Sequence, residues 1–103
     1  MLVSTEISAV AVTAAVEEAV AASVPCVLNP APALPVVADV LRIGVVLTPN
    51  ETELVDILTL LGRTASGDAA TDAAEVASTS GRPVVVTRGA EGVLVVDPQV
   101  RAA

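Results

Sequence analysis

Four apolar runs in this sequence are each followed by residues able to hold a ligand. They are Glu6; Asn29, Pro30, Ala31 and Pro32; Pro49, Asn50, Glu51, Thr52 and Glu53; and Thr87, Arg88, Gly89, Ala90, Glu91 and Gly92. In open α/β sheets, ligands bind beyond the carboxyl ends of the strands, where each of these segments would stand. Asn50 and Glu53 have capping-box spacing: the Asn side chain accepts from the Glu53 amide while the Glu carboxylate reaches back to the Asn50 amide. Amides at such a helix start also bind phosphate without any lysine. Taken singly, each segment has a plain structural reading. Residues 49–53 are a helix cap, residues 29–32 a turn, residues 88–92 a hairpin loop whose glycines supply positive φ, and Glu6 a surface charge.

Other chemistries lack their residues. The chain has no His, so Cys26, the single cysteine, has no histidine to share a metal with or to activate it, and it has no disulfide partner within the chain. Its apolar neighbours make it a buried structural thiol, consistent with a reducing cytoplasm. No G-x-G-x-x-G follows a strand, which disfavours a dinucleotide-binding Rossmann unit. Phe, Tyr and Trp are all absent, so no aromatic platform exists for stacking bases, and a net charge of -7 repels polyanions and anionic lipid. Neither nucleic acid nor a membrane is an expected partner. Residues 1–6 lack a basic leader, and prolines and charges interrupt residues 31–47, so neither a signal peptide nor a membrane span is expected.

The positioning elements follow from periodicity. At 103 residues, 53% hydrophobic, the chain is long enough for one domain with one core, built from Val, Leu, Ile and Ala. A strand over residues 1–5 leads to Ser8, an N-cap, and to a helix with Val12, Val16, Ala19 and Val20 on one face. Cys26, Val27 and Leu28 form a second strand, Pro35 opens a short helix, and residues 45–47 form a third strand. After Pro49 a helix buries Leu54, Ile57, Leu58 and Leu61 and stops at Gly62. Residues 63–67 are a surface loop. Asp68 caps a further helix whose expected buried side is Ala70, Ala73, Ala74 and Ala77. Residues 84–86 and 93–96 pair as a hairpin. Alternating strands and helices predict an α/β fold, a three-layer sandwich with a mostly parallel sheet and helices on both faces.

The four strand-end segments, in this order and spacing, resemble the ribokinase family of carbohydrate kinases, over nearly the whole chain from Leu2 to about Pro98. The resemblance implies one partial domain over residues 1–103, the central part of a ribokinase-like fold. It implies sugar-hydroxyl binding by Glu6, nucleotide binding by Asn50, Thr87, Gly89, Ala90 and Gly92, and a magnesium role for Glu53. MgATP and a sugar such as ribose are the implied ligands, with room for a monovalent cation in the complete enzyme. Arg88 stands where a small or apolar residue is commoner in the family. The sequence contains no Gly-Ala-Gly-Asp, the family's anion-hole and general-base motif, so no catalytic residue is assigned and the isolated chain is expected not to turn over. Packing faces left bare lead to an expected homodimer or aggregate. The rival reading is a non-catalytic α/β module with a binding or purely structural role.

Overall fold

A computed structural model describes residues 1–5 and 8–98. Strand β1 (Leu2–Ser4) is followed by helix α1 (Ala9–Ala21), β2 (Val27–Asn29), α2 (Val36–Leu41) and β3 (Val46–Leu47). Helices α3 (Glu51–Leu60) and α4 (Ala69–Ser80) come next, then β4 (Val84–Thr87), a 3-10 turn (Gly89–Glu91) and β5 (Val93–Val96). The sheet order is β1-β2-β3-β4-β5, parallel through β4, with β5 antiparallel. This is the mostly parallel α/β fold that the alternating pattern predicts.

Helix ends follow local chemistry. Ser8 Oγ accepts from the Ala11 amide at 3.2 Å to start α1, and Asp68 Oδ2 accepts from the Thr71 amide at 3.1 Å to start α4. Helix α3 stops at Gly62, whose φ of 73° lets the Arg63 amide turn back to the Leu58 carbonyl at 2.9 Å and the Gly62 amide to Thr59 at 3.0 Å. That pair of bonds satisfies carbonyls that the helix end would otherwise orphan.

Strands β1 to β4 each turn one set of alternate residues into the core, while β5 only half-buries Leu94 and Val96. Val3, Leu28, Leu47 and Val84 align across the sheet and are all buried, packed against Val12 and Val16 of α1, Val37, Val40 and Leu41 of α2, Leu54, Ile57 and Leu58 of α3, and Val76 of α4. Burying an aliphatic side chain of this size contributes about 1.5–3 kcal/mol, so this layer holds the fold without aromatics. Strands that follow one another in space as in sequence, joined by right-handed crossovers, place their helices on one side of the sheet. The opposite face shows Leu2, Val93 and Val95 at 79%, 61% and 60% exposure, with Val27, Val46 and Val85 half-buried between them. The described residues therefore supply the sheet and one helical layer of the expected sandwich.

Two helix faces differ in detail from their predicted stripes. Val20 is exposed, and α4 buries Asp72, Ala73, Val76, Ala77 and Ser80, leaving Ala70 and Ala74 in solvent. Val76 offers more apolar surface than any alanine, and turning it inward rotates the stripe by about one residue. The same rotation buries Asp72, whose Oδ1 accepts from the Ser66 amide at 2.9 Å and so closes the 63–67 loop onto the helix. Cys26 is buried as expected, and desolvation pushes its thiol up, partly opposed by the nearby N-terminal ammonium. Among the described residues, no helix is long and apolar enough to cross a membrane.

Candidate functional site

The carboxyl ends of the parallel strands form one edge of the sheet. Because the strands are adjacent in chain order, the predicted segments at residues 29–32, 49–53 and 87–92 stand along that edge in sequence order, and β1 and β4 are about 14 Å apart at ordinary strand spacing. At its β1 end, the Thr5 amide donates to the Asn29 carbonyl at 3.3 Å and the Thr5 hydroxyl donates to the Pro32 carbonyl, fixing the 29–32 turn over the end of β1. Glu6, the predicted sugar contact, lies outside the described residues.

The β3 and β4 ends are joined directly. The Thr87 amide donates to the Pro49 carbonyl at 2.9 Å, and Asn50 pairs with Thr87 as a parallel bridge that extends the sheet by one step. Pro49, with no amide of its own to lose, sits buried at this transition from strand to helix. Asn50 then caps α3: its Oδ1 accepts from the Glu53 amide at 2.8 Å, and Glu53 Oε1 accepts from the Asn50 amide at 2.9 Å. The capping box is therefore real. It engages one oxygen of Asn50 and one of Glu53, and leaves the Asn50 amide group and the second Glu53 oxygen for another partner.

Beyond Thr87 the chain turns through Gly89–Glu91. Gly89 and Gly92 have φ of 58° and 90°, and the Arg88 amide donates to the Gly92 carbonyl at 2.8 Å, closing the loop into the β4–β5 hairpin. With no side chain at Gly89 or Gly92 and nothing within 4 Å of either missing Cβ, a ligand can approach this backbone closely. Thr87, Gly89, Ala90 and Gly92 are all exposed.

Arg88, given no role by sequence reasoning, lies between the two segments. Its Nη2 is 3.1 Å from Glu91 and its Nε 3.9 Å from Glu51 in the first turn of α3. Asp68 is a further carboxylate of this region; hydrogen bonds from the Thr71 hydroxyl and amide hold it below the ordinary range, with a smaller contribution from Arg88. Carboxylates thus outnumber cations here. Among the described residues no group of three or more acidic, His or Cys side chains could cage a metal. A magnesium ion held mainly by phosphates and water needs no such cage.

A family profile described as pfkB family carbohydrate kinase matches residues 2–102. The chain belongs to that family. Among solved structures, ribokinase from Thermotoga maritima superposes with a TM-score of 0.81 at 22% identity, covering 98% of this chain and 33% of that one. Ribokinase from Cryptococcus neoformans in complex with ADP gives 0.72 at 25% identity, with 99% and 37% covered. Phosphofructokinase-2 from Escherichia coli in complex with fructose-6-phosphate gives 0.69 at 24%, with 96% and 35% covered. No curated protein matches in sequence. This pfkB-family chain therefore spans about a third of the length of the structures it matches.

Proposed function

We propose that these residues form the central part of an ATP-dependent sugar kinase, transferring the γ-phosphoryl group of ATP to a sugar hydroxymethyl. The observation that carries the reading is the pairing of Asn50 with Thr87, which sets the helix-start amides of α3 and the open loop at residues 88–92 side by side at the carboxyl edge of the sheet. Backbone amides at a helix start and in a glycine-bearing loop, brought side by side in this way, would make an anion-binding surface despite the acidic surroundings.

Each residue has a definite task. Thr87, Gly89, Ala90 and Gly92 would lie against the nucleotide, Asn50 would offer its side-chain amide to a phosphate, and Glu53 would contact magnesium. The ion, when bound, would neutralise phosphate charge and orient the γ-group. The excess of carboxylates is consistent with such a need, since phosphate without its cation would be repelled. A sugar would bind nearer β1, where the resemblance assigns Glu6, while ATP lies nearer β4.

The test is titration of the chain with MgADP and MgATP. Binding should raise the melting temperature in a concentration-dependent way and shift the amide signals of residues 50–53 and 87–92. A coupled assay with ribose and MgATP should show no multiple turnovers, because the sequence holds no Gly-Ala-Gly-Asp. Sustained turnover would overturn the assignment of the missing base. Neither a melting shift nor an amide shift would favour a non-catalytic module instead.

A further inference from the structure

The proposed function uses Thr87 and the glycines that follow it, and makes no use of Arg88. We infer that Arg88 is a positioning residue whose guanidinium ties the first turn of α3 to the 88–92 loop, setting the two groups of phosphate-facing amides relative to each other. The inference rests on the nucleotide-binding reading and names the residue that organises that site.

Three observations carry it. First, the two carboxylates around Arg88 belong to different elements: Glu51 opens α3, and Glu91 sits in the 3-10 turn. Second, the Thr87–Pro49 hydrogen bond and the Asn50–Thr87 bridge fix only the strand ends. Past them, among the described residues, the Arg88–Glu51 pair is the polar contact recorded between residues 51–60 and 88–92. Third, Arg88 Nε is buried and has no hydrogen-bond acceptor. The Glu51 carboxylate at 3.9 Å is too far to accept from it, but about 1 Å of approach would make a charge-assisted hydrogen bond. An unsatisfied buried donor facing a carboxylate on the neighbouring element favours that approach.

These ion pairs are partly exposed and contribute little to global stability. Their effect belongs in ligand affinity, where the placement of the amides counts. Glu51 gives a discriminating sign. If it only repelled phosphate, Glu51→Gln would strengthen nucleotide binding in any background. If it anchors Arg88, Glu51→Gln weakens binding when Arg88 is present and strengthens it when Arg88 is replaced.

The experiment is titration of the chain with MgADP, following the amide signals of residues 50–53 and 87–92, for wild type, Arg88→Met, Arg88→Lys, Glu51→Gln and the Glu51→Gln/Arg88→Met double variant. Arg88→Met should bind about two- to fivefold more weakly, the range expected for a modest ion-pair contribution. Arg88→Lys should recover part of the loss, since it keeps the charge without the planar fork. Glu51→Gln should change the sign of its effect between the two backgrounds. Equal affinity of wild type, Arg88→Met and Arg88→Lys overturns the inference while leaving nucleotide binding intact, as does stronger binding by Glu51→Gln in both backgrounds. Absence of saturable MgADP binding by wild type removes the nucleotide reading itself, and the inference with it. If Arg88→Met does not give a folded spectrum, Arg88→Lys and Glu51→Gln decide: wild-type affinity in both overturns the positioning role.

Discussion

Asn50 and Glu53 are assigned both a structural and a ligand-binding task, and two substitutions separate them. Asn50→Ala removes the side-chain oxygen that accepts from the Glu53 amide at 2.8 Å, while the backbone amide of residue 50 still donates to Glu53. Losing a cap acceptor of this kind costs about 1 kcal/mol. In a domain of about 100 residues that lowers the melting temperature by roughly 4–8 °C. Glu53→Gln keeps a neutral oxygen within reach of the Asn50 amide, because Gln serves in a capping box as Glu does. It loses only the carboxylate's interaction with the α3 dipole, about 0.3–1 kcal/mol at this half-exposed position. Its effect on magnesium should be larger in kind: the gain in ADP affinity on adding magnesium should shrink, whereas Asn50→Ala should retain that dependence. Urea denaturation and ADP titration with and without magnesium measure the two quantities on the same samples. A Glu53→Gln variant with undiminished magnesium dependence would sink the metal role and leave Glu53 as a cap alone.

Two further outcomes are expected. Asp68 has its folded-state affinity for protons lowered by bonds from Thr71, so its contribution to stability is fully present above its unfolded value, near 3.8, and is lost as pH falls through the lower folded value. The stability difference between wild type and Asp68→Asn, which retains a capping oxygen, should therefore be flat above about pH 5 and change only below it, as read by denaturation across pH 2–7. The bare sheet face, with Val93 and Val95 at 61% and 60% exposure on the edge strand, should drive association of the isolated chain. Light scattering should show wild type growing in mass with concentration, and a Val93→Lys/Val95→Lys variant doing so less; a monodisperse wild-type monomer over a wide concentration range would refute this.

The sequence reveals the parts of this fold that depend on local chemistry. Ser8, Asn50 and Asp68 cap helices because their side chains reach an amide three residues on, and Gly62 ends α3 because it accepts positive φ. Parallel strands show as unbroken apolar runs, so β1 to β4 are legible too. What the sequence hides depends on packing at a distance. The stripe of α4 follows Val76 rather than the alanines, and Asp72 reads as an interruption of an apolar face until its bond to the Ser66 amide is seen. Expecting helices on both faces assumes a layer that the described residues do not contain, since apolar residues on the bare face look no different in sequence from those under α1 to α4.

At the site, the same division separates the segments from their arrangement. Proline, asparagine and glycine mark where strands give way, and these positions are readable one by one. That Asn50 bridges to Thr87 follows only from β3 and β4 being neighbours in the sheet, and that neighbourhood brings a helix cap and a hairpin loop side by side at one edge. Arg88 shows the limit most clearly. In sequence it is a charged residue in a turn with an acid three positions on, an ordinary surface pair. Its reach toward Glu51 crosses between elements 37 residues apart by number, 88 against 51. Placing it there requires the sheet order, and so the residue with the most to say about how the site is held together is one whose sequence context gives no sign of it.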